Sequence, residues 1–397
     1  MNPPQNLVSY AELARFFLRF SLQAFGGPAA HIAMGEDEIV TRRGWLTREH
    51  FLDLVAATNL IPGPNSTEVM IHTGFVLRGI PGAVVAGACF ITPSALLSLT
   101  LAVIYVEFGA LPRVEAAFWG IQPVIVTIIL IAAYRLAPSA LKNVPLWALF
   151  GVSLLLIAFS SIPELFVLLG AGVAYAAFVR LRTASTTTLL FVASLPALVR
   201  AAESAVNGAS ATLGGLFVYF LGVGATLFGS GYLLVSYLEA GLVRDLGWLT
   251  QSQLLAAISI GQFTPGPVLT TATVAGYMIA GVPGAFVSTI AIFLPAFVLV
   301  ILSAPLIPRM RRSRTMSAFL NGINAAVIAA ILVTVLRLAG TAFTPLTPAT
   351  PLTVGPLSLI ALAIGLLSAL ALVRYRVNTT FLLLAGAAIG LLAHLAS

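Results

Sequence analysis

Long apolar runs, separated by short polar or glycine- and proline-containing breaks, dominate this chain. Such a run predicts a membrane-spanning helix, because about 20 apolar residues cross the roughly 30 Å core of a bilayer. The pattern therefore predicts an all-α integral membrane protein. The runs without Asp, Glu, Lys or Arg are 246–308, 79–106, 116–134, 143–163, 315–336, 338–373 and 377–397.

The same order of features occurs twice along the chain. A shift of 203 residues aligns Gly44-Trp45-Leu46-Thr47 with Gly247-Trp248-Leu249-Thr250, and Pro62-Gly63-Pro64 with Pro265-Gly266-Pro267. A shift of 202 then aligns later glycines and prolines. We predict two homologous halves, 1–185 and 211–397, joined by a segment at 186–210.

Each half is expected to contain about five or six membrane helices, including helices broken at Pro-Gly-Pro. The proline rings remove backbone donors and end the helix before them. Each arm beside a break is about 15 residues, or roughly 22 Å as a helix, which is too short to cross the membrane. We therefore favour re-entrant hairpins, although one long broken span stays open. The arms are 48–61, 64–78, 251–264 and 267–280, and the full spans are 83–106, 116–136, 143–160, 163–181, 285–308, 316–338, 355–373 and 378–396.

The loop charges predict that the two halves have opposite orientations. The loop 107–115 carries Glu107, Arg113 and Glu115, whereas its counterpart near 308–315 carries four arginines. Cytoplasmic loops are enriched in Lys and Arg, so these equivalent loops are expected on opposite sides. Inversion needs one further crossing, which residues 187–200 are expected to supply.

Composition agrees with a membrane protein and narrows the functional classes. Hydrophobic residues make up 59% of the chain and charged residues 8%, against about 25% charged in soluble domains. The net charge of +7 is typical of basic cytoplasmic loops. Scattered basic residues disfavour nucleic-acid binding, and the single cysteine, Cys89, excludes an intrachain disulfide.

The Pro-Gly-Pro breaks are the candidate substrate site. The helix that follows Pro64 presents unpaired N–H groups and the positive end of its dipole, which suit an anion. The alternative is that the polar residues only cap a kink. The residues assigned to substrate binding here are Asn59, Pro62, Gly63, Pro64, Asn65, Ser66 and Thr67 in the first half, and Gln262, Pro265, Gly266 and Pro267 in the second.

A second pair of breaks is rich in glycine. At Gly26, Gly27, Gly229 and Gly231 the bare backbone can approach a ligand closely, and helix packing is the alternative explanation. A third candidate feature is a basic entrance formed by Arg42 and Arg43, for which the alternative is a topology signal.

Ionisable residues inside membrane helices are candidates for coupling or gating. Glu68 and His72 lie one turn apart in an apolar segment, and the alternative is a structural hydrogen bond to a neighbouring helix. Glu36, which repeats as Glu239, and His31 are placed in the same coupling or gating group. No His-Glu-x-x-His, cysteine cluster or phosphate-binding loop occurs in the sequence, so we expect neither a metal nor a cofactor.

Three strings strongly resemble the chromate ion transporter family, long-chain form: Phe25-Gly26-Gly27-Pro28-Ala29-Ala30-His31, Arg42-Arg43-Gly44-Trp45-Leu46 and the string from Asn59 to Glu68. The resemblance implies a multi-pass protein of the cytoplasmic membrane that exports chromate and confers chromate resistance, with sulfate as a related oxyanion. The second half departs from the pattern, with Val268 and Leu269 at the positions of Asn65 and Ser66, so the first half is expected to carry more of the binding.

The function expected from all of this is secondary transport of a tetrahedral oxyanion dianion, without enzymatic activity. A sulfate or other oxyanion carrier and an intramembrane enzyme using Glu68 and His72 are the alternatives. Chromate, sulfate and membrane lipids are the expected partners, with no nucleic acid. The sequence leaves open the coupling ion and whether the chain forms a homodimer.

Overall fold

The computed structural model describes residues 8–25, 27–183, 211–228, 231–303, 313–345, 353–354 and 357–395. The first half forms helices α1 Tyr10–Gln23, α2 Pro28–Gly35, α3 Arg48–Thr58, α4 Asn65–Phe108, α5 Pro112–Ala140, α6 Val144–Phe159 and α7 Glu164–Thr183. The second half forms α8 Leu213–Thr226, α9 Leu233–Leu238, α10 Gln251–Phe263, α11 Thr271–Ser303, α12 Arg314–Ala342, α13 Leu359–Leu370 and α14 Thr379–Leu395.

Short irregular elements complete the chain. Three π-helical turns, Glu36–Arg42, Glu239–Asp245 and Ala371–Tyr375, continue α2, α9 and α13, and a 3₁₀ turn, Val268–Thr270, precedes α11. Strands β1 Thr353–Val354 and β2 Leu357–Ser358 form a small antiparallel hairpin, with Thr353 opposite Ser358. Apart from this hairpin, the described chain is helical, as the apolar runs predict.

Five helices in the described part of the chain are long and apolar enough to cross a membrane. Their length and composition indicate a multi-pass membrane protein, and four shorter apolar helices of 10–17 residues accompany them. The further crossing expected at 187–200 lies outside the described residues. The five are Asn65–Phe108, Pro112–Ala140, Glu164–Leu181, Val268–Ser303 and Arg314–Ala342.

The long helices α4 and α11 are broken at equivalent positions of the repeat. Backbone angles leave the helical region at Arg78 (φ −144°, ψ 20°) and Gly79 (φ 64°, ψ −153°). Ala280 (φ −140°, ψ 27°) and Gly281 (φ 63°, ψ −154°) repeat these values in the second half. Glycine adopts such a positive φ without strain, which explains why both breaks fall where a glycine occurs.

The chain folds back on itself at these breaks. A Cβ added to Gly74 would touch the carbonyl oxygen of Gly82, and one added to Gly276 would touch that of Gly284. Residues eight apart on a straight helix are about 12 Å apart along the axis, so the contact requires a reversal of direction. Each long helix is therefore a short arm, from Asn65 or Thr271 to the break, followed by a longer helix.

Helices of the two halves pack against each other. α7 packs on α12, α14 on α5, and α4 on α11. Glycines allow the closest approaches: Gly120 meets the backbone of Gly386 and Gly390, and Gly322 meets that of Ala171. Small residues permit such contacts between membrane helices. The two halves are thus packed together along several helices, α4 and α11 among them.

Candidate functional site

Reciprocal hydrogen bonds between the two halves fix the two Pro-Gly-Pro turns. α3 ends at Thr58 before α4 begins at Asn65. The N–H of Gly63 donates to the carbonyl of Leu227, and that of Gly266 donates to the carbonyl of Ala24, both over 2.7 Å. Leu227 and Ala24 are equivalent at the shift of 203, and each follows the first helix of its half. Each turn is therefore tied to the end of the first helix of the other half.

His31 connects the two turns. It is 1% exposed, with Nε2 2.9 Å from the carbonyl oxygen of Ala24 and Nδ1 3.4 Å from Oγ of Ser66. A carbonyl only accepts, so Nε2 carries a proton, and in the neutral ring Nδ1 accepts from Ser66. Ala24 thus accepts from both His31 and Gly266. The sequence placed His31 in the gating group, but its contact with Ser66 follows from the fold.

The first turn of α4 has polar groups but no side-chain cap. Pro64 is the N-cap residue and offers no side-chain hydrogen bond, so N–H groups at this helix start remain available. Asn65 donates to Oδ1 of Asn59 over 2.6 Å. The hydroxyl of Thr67, which is fully buried, has no hydrogen-bond partner among the described residues. Helix starts of this kind are suited to binding oxyanions.

Glu68 lies directly against this turn. Its side chain is 0% exposed, and neither carboxyl oxygen has a hydrogen-bond partner in the described part of the chain. A Cβ added to Gly63, whose φ is 145°, would collide with Oε1 of Glu68. His72 is also buried, and its Nε2 is without a partner in the same part of the chain. Because Glu68 and Nε2 of His72 have no partner among the described residues, the direct Glu68–His72 hydrogen bond that a relay between them would need is not formed.

The two glycine breaks lie close to each other. Gly27 has φ 82°, and a Cβ there would lie 3.5 Å from the hydroxyl of Tyr232; one at Gly231 would lie 3.9 Å from Pro28. Gly26 and Gly229 lie outside the described residues. In the second Pro-Gly-Pro turn, Pro265, Gly266 and Pro267 are buried. Nε2 of Gln262, just before this turn, has no hydrogen-bond partner among the described groups.

The basic residues assigned to an entrance are paired with acids. Arg42 lies 2.9 Å from Asp37 and 3.0 Å from Glu38, and Arg43 lies 3.6 Å from Glu38. Glu36 pairs with Arg48 over 2.8 Å. Exposed pairs of this kind contribute at most about 1 kcal/mol, and they leave little net positive charge to attract an anion.

A buried ionic cluster between the two halves was not predicted from the sequence. Oε2 of Glu239 lies 3.1 Å from Arg337 and 3.3 Å from Arg244, and Glu164 lies within 4.0 Å of both arginines. The cluster joins α7, α12 and the π-helical turn after α9. One feature of the sequence could have indicated the cluster: Arg337 is a single charged residue between two charge-free runs. Its equivalent Arg135 instead donates to the carbonyl of Leu372.

A cavity of about 640 Å³ lies beside the 107–115 loop. It includes Glu115, Gln122 and Gln253, and it reaches Ala256 on α10. Phe263, at the end of α10, is seven residues or about 10 Å further along that helix. No group of three or more His, Cys, Asp or Glu side chains within the described ranges is arranged to hold a metal ion.

The sequence of this chain is similar to those of known transport proteins. The family model described as "Chromate transporter" matches the chain twice, at residues 11–176 and 214–391. A chromate transport protein of Cupriavidus metallidurans is 33% identical over 336 residues, covering 83% of this chain and 82% of the relative. One of Pseudomonas aeruginosa is 31% identical over 343 residues, covering 84% and 82%.

A more distant relative broadens the comparison. A protein of Methanocaldococcus jannaschii, named an uncharacterized transporter, is 25% identical over 340 residues and covers 81% of this chain. No solved structure matches the chain. The double match of the family model agrees with two halves, each with its own Pro-Gly-Pro turn. The chain belongs to the chromate transporter family, a family of membrane transport proteins rather than enzymes.

Proposed function

We propose that this protein is a secondary transporter that exports chromate across the cytoplasmic membrane and thereby confers chromate resistance. The observation that carries the proposal is the buried, uncapped start of α4, with Thr67 unpaired among the described residues. Relatives 31–33% identical to this chain are named chromate transport proteins. We therefore assign the oxyanion to the first Pro-Gly-Pro turn.

The chemistry of the turn suits a tetrahedral dianion. Such an ion must exchange its water shell for other donors, since an unpaired buried charge is prohibitive. N–H groups of the α4 start supply oriented donors, and charge-assisted hydrogen bonds are the strong kind. The amides of Asn59 and Asn65 and the hydroxyl of Thr67 lie on or beside the same turn and add to this set.

Glu68 is proposed as the gating group of the site. Its carboxyl group lies beside Gly63, within the turn that would hold the anion. An ionised carboxylate there would repel a dianion, whereas a protonated one offers a donor. Release of the proton from Glu68 would therefore favour release of the anion, with His72 one turn away as the nearest buried base on the same helix.

The membrane potential supports export as the direction. An inside-negative potential favours outward movement of an anion by about 2.3 kcal/mol per charge per 100 mV, or roughly 4.6 kcal/mol for a dianion. This driving force needs no nucleotide hydrolysis.

We further propose that the halves 1–185 and 211–397 are inverted and joined by a crossing within 186–210. The equivalent backbone angles at Arg78–Gly79 and Ala280–Gly281 and the reciprocal hydrogen bonds of the two turns support related halves. Inverted repeats with discontinuous helices at the substrate site are a common transporter architecture.

Reporter fusions test the inversion. A fusion after Arg113 is expected outside and one after Arg312 inside, because the second loop is far more basic. Accessibility of each fusion to a membrane-impermeant reagent gives the side. Both fusions on one side would end the inverted arrangement, although it would leave the transport activity intact.

Transport in everted vesicles tests the function itself. Vesicles containing the protein are expected to take up labelled chromate in a manner that depends on the membrane potential, and vesicles without it are the control. Sulfate has the same shape and charge, so it is added as a competitor. Uptake of labelled sulfate without chromate would identify a sulfate carrier, and uptake of neither would refute oxyanion transport.

A further inference from the structure

The helices pack into two groups, and each group takes elements from both halves. In the first, which we call the core group, α4 packs against α1, α2, α3 and α11, and α11 packs against α8 and α10. In the second, the scaffold group, α12 packs against α5, α6 and α7, and α5 packs against α13 and α14. The equivalent of α2 is α9, and the π-helical turn after α9 packs on α10, so α9 also belongs to the core group.

The two groups contact each other through elements of the second half. α10 packs on α5, α12 and α14, and α9 packs on α12. Buried Leu238 of α9 and Leu254 of α10 belong to the same apolar cluster as Ile129 of α5 and Ile331 of α12. The second-half hairpin of the core group is therefore packed against the scaffold group.

The equivalent elements of the first half do not repeat this contact. No comparable packing joins α2 or α3 to the scaffold group among the described residues. Buried Phe51 and Leu54 of α3 lie in an apolar cluster whose members all fall within residues 8–90 of the core group. At the end of α3, Asn59 is exposed, whereas its equivalent Gln262 is half-buried. The two groups are thus in contact at the second-half hairpin but not at the first-half hairpin.

The buried ionic cluster lies at the contact between the groups. Glu239 and Arg244 belong to the core group, and Glu164 and Arg337 belong to the scaffold group. The 3.1 Å contact between Glu239 and Arg337 joins the two groups. Each group also has a pair of its own, Glu239 with Arg244 at 3.3 Å and Glu164 with Arg337 at 4.0 Å. The cluster can therefore separate into two pairs without leaving a buried charge unpaired, which would be strongly unfavourable.

The repeat supplies the joining pair a second time. Glu36 is equivalent to Glu239 at the shift of 203, and Arg135-Leu136-Ala137 is equivalent to Arg337-Leu338-Ala339 at the shift of 202. The other two charged residues of the cluster are not repeated. The first half thus keeps the acid of the core group and the arginine of the scaffold group, which are the two residues that join the groups.

The first-half residues are separated from each other. Glu36 pairs with Arg48 over 2.8 Å, and Arg135 donates to the carbonyl of Leu372 over 2.6 Å. Arg48 lies in the core group with Glu36, and Leu372 lies in the scaffold group with Arg135. Each residue therefore has a partner within its own group. This is the arrangement that the second-half cluster would adopt if the two groups moved apart there.

We propose that Glu239–Arg337 and Glu36–Arg135 are two closing pairs, which shut the two sides of the transport pathway in turn. In the described structure the second-half pair is formed and the first-half pair is not, so the oxyanion turn beside Asn59 is open to the cytoplasmic side. Movement of the core group against the scaffold group breaks Glu239–Arg337 and forms Glu36–Arg135, which opens the other side. This inference rests on the proposed transport function and on the inversion of the halves.

Cysteine crosslinking tests the exchange between the two states. The background is Cys89→Ala, which removes the single native cysteine. One variant carries Glu36→Cys with Arg135→Cys, and a second carries Glu239→Cys with Arg337→Cys. A short bifunctional methanethiosulfonate reagent is applied to vesicles without any oxyanion. We expect a crosslink in both variants, because the exchange brings each pair together in turn.

The first-half variant decides the outcome. Neither Glu36 nor Arg135 is buried, so their replacement is expected to leave the fold intact. Failure of this pair to crosslink would overturn the proposal, since the two residues would then stay apart throughout. The result does not depend on transport. A parent protein without oxyanion uptake would refute the proposed function, while the crosslinks would still show whether the groups exchange.

Chromate uptake before and after crosslinking shows whether the exchange is required. Each crosslink should lower uptake at least about tenfold, because it holds the groups in one state. Cleavage of the crosslink, followed by removal of the reductant, should restore uptake. The matched control is Arg180→Cys with Thr315→Cys, a pair 3.2 Å apart within the scaffold group. Its crosslink should change uptake by less than roughly twofold. Unchanged uptake in the Glu36→Cys, Arg135→Cys variant, or an equal loss in the control, would overturn the proposal.

Labelling of a single residue identifies the open side. Asn59→Cys in the same background is treated with a membrane-impermeant maleimide. The modification should be faster in everted vesicles, which expose the cytoplasmic side, than in right-side-out vesicles. Equal or slower modification in everted vesicles would overturn the proposed cytoplasmic opening, and the reporter fusions decide independently whether the halves are inverted.

Discussion

Glu68 and Glu239 allow one chemical change to be tested in two buried environments. Both side chains are 0% exposed, and Glu→Gln keeps their size while it removes the ability to carry a negative charge. Glu68 has no hydrogen-bond partner in the described structure. Glu239 lies between Arg244 and Arg337. We expect opposite effects of the two substitutions on stability and on transport.

The magnitudes follow from the partners that each carboxyl group has. Glu239→Gln leaves two arginines with Glu164 as the remaining acid of the cluster. Breaking a fully buried ion pair costs about 3–5 kcal/mol, and the 37% and 21% exposure of the two arginine side chains lowers this value. A loss of about 2–3 kcal/mol in the free energy of unfolding is therefore expected. Glu68→Gln removes no formed hydrogen bond, so the free energy of unfolding should stay the same or rise.

Transport should follow the reverse order. Glu68→Gln fixes the group in an uncharged form and should reduce chromate transport at least tenfold if its ionisation is part of the cycle. Glu239→Gln should transport according to how much folded protein remains. Chemical unfolding in detergent gives the free energies, and uptake per folded protein in everted vesicles gives the activity. Unchanged transport by Glu68→Gln, or a destabilisation equal to that of Glu239→Gln, would refute the gating role.

Two further substitutions test the first turn, each with a matched control. Asn65→Ala should weaken chromate binding by about 1.5–3 kcal/mol, or roughly ten- to a hundredfold, because it removes a donor to a charged ligand. The equivalent change in the second half, Val268→Ala, removes no donor and should bind chromate like the parent. Equal losses of affinity in the two variants would contradict the assignment of the anion to the first turn. Gly63→Ala places a methyl group against Glu68 at φ 145° and should abolish transport. The control is Gly44→Ala, because Gly44 also has a positive φ, 62°, but a Cβ there would have no other group within 4 Å. Gly44→Ala should show only αL strain of about 1–2 kcal/mol, as lower stability with normal uptake per folded protein.

The sequence predicted well those features that local patterns determine. Apolar runs predicted the helical membrane class, and the glycine at position 79 and its equivalent at 281 mark the places where α4 and α11 reverse. The family followed from the string around Pro62-Gly63-Pro64. The cross-half contacts had no local signal. Nothing near Gly266 in the sequence indicates that Ala24 accepts its N–H group, because that pairing depends on how the two halves pack.

The ionic cluster was missed for a similar reason. Glu164 and Arg337 are distant in sequence and lie at the ends of apolar runs, where a charge normally marks a helix end at the membrane surface. Only packing of α7 against α12 brings them together. Glu36 was emphasised because it repeats as Glu239, yet it pairs with Arg48 near the surface while Glu239 is buried. A repeated residue therefore indicated a shared position but not a shared environment.

The two Pro-Gly-Pro turns have related backbones and different chemistry, and this difference bears on mechanism. At the first turn Ile61 and Val300 belong to one apolar cluster, and Glu68 and Thr67 at the helix start have no hydrogen-bond partner among the described residues. At the second turn the equivalent positions are Thr264 and Ser98, whose hydroxyl oxygens are 3.1 Å apart. Both turns lie between a helix end and a helix start, so the side chains rather than the backbone dipoles make the chemical difference. Because His31 and the carbonyl of Ala24 connect the turns, displacement of one turn would alter hydrogen bonds at the other. Anion binding at the first turn would thus be energetically coupled to the conformation of the second turn, and such coupling acts equally in both directions.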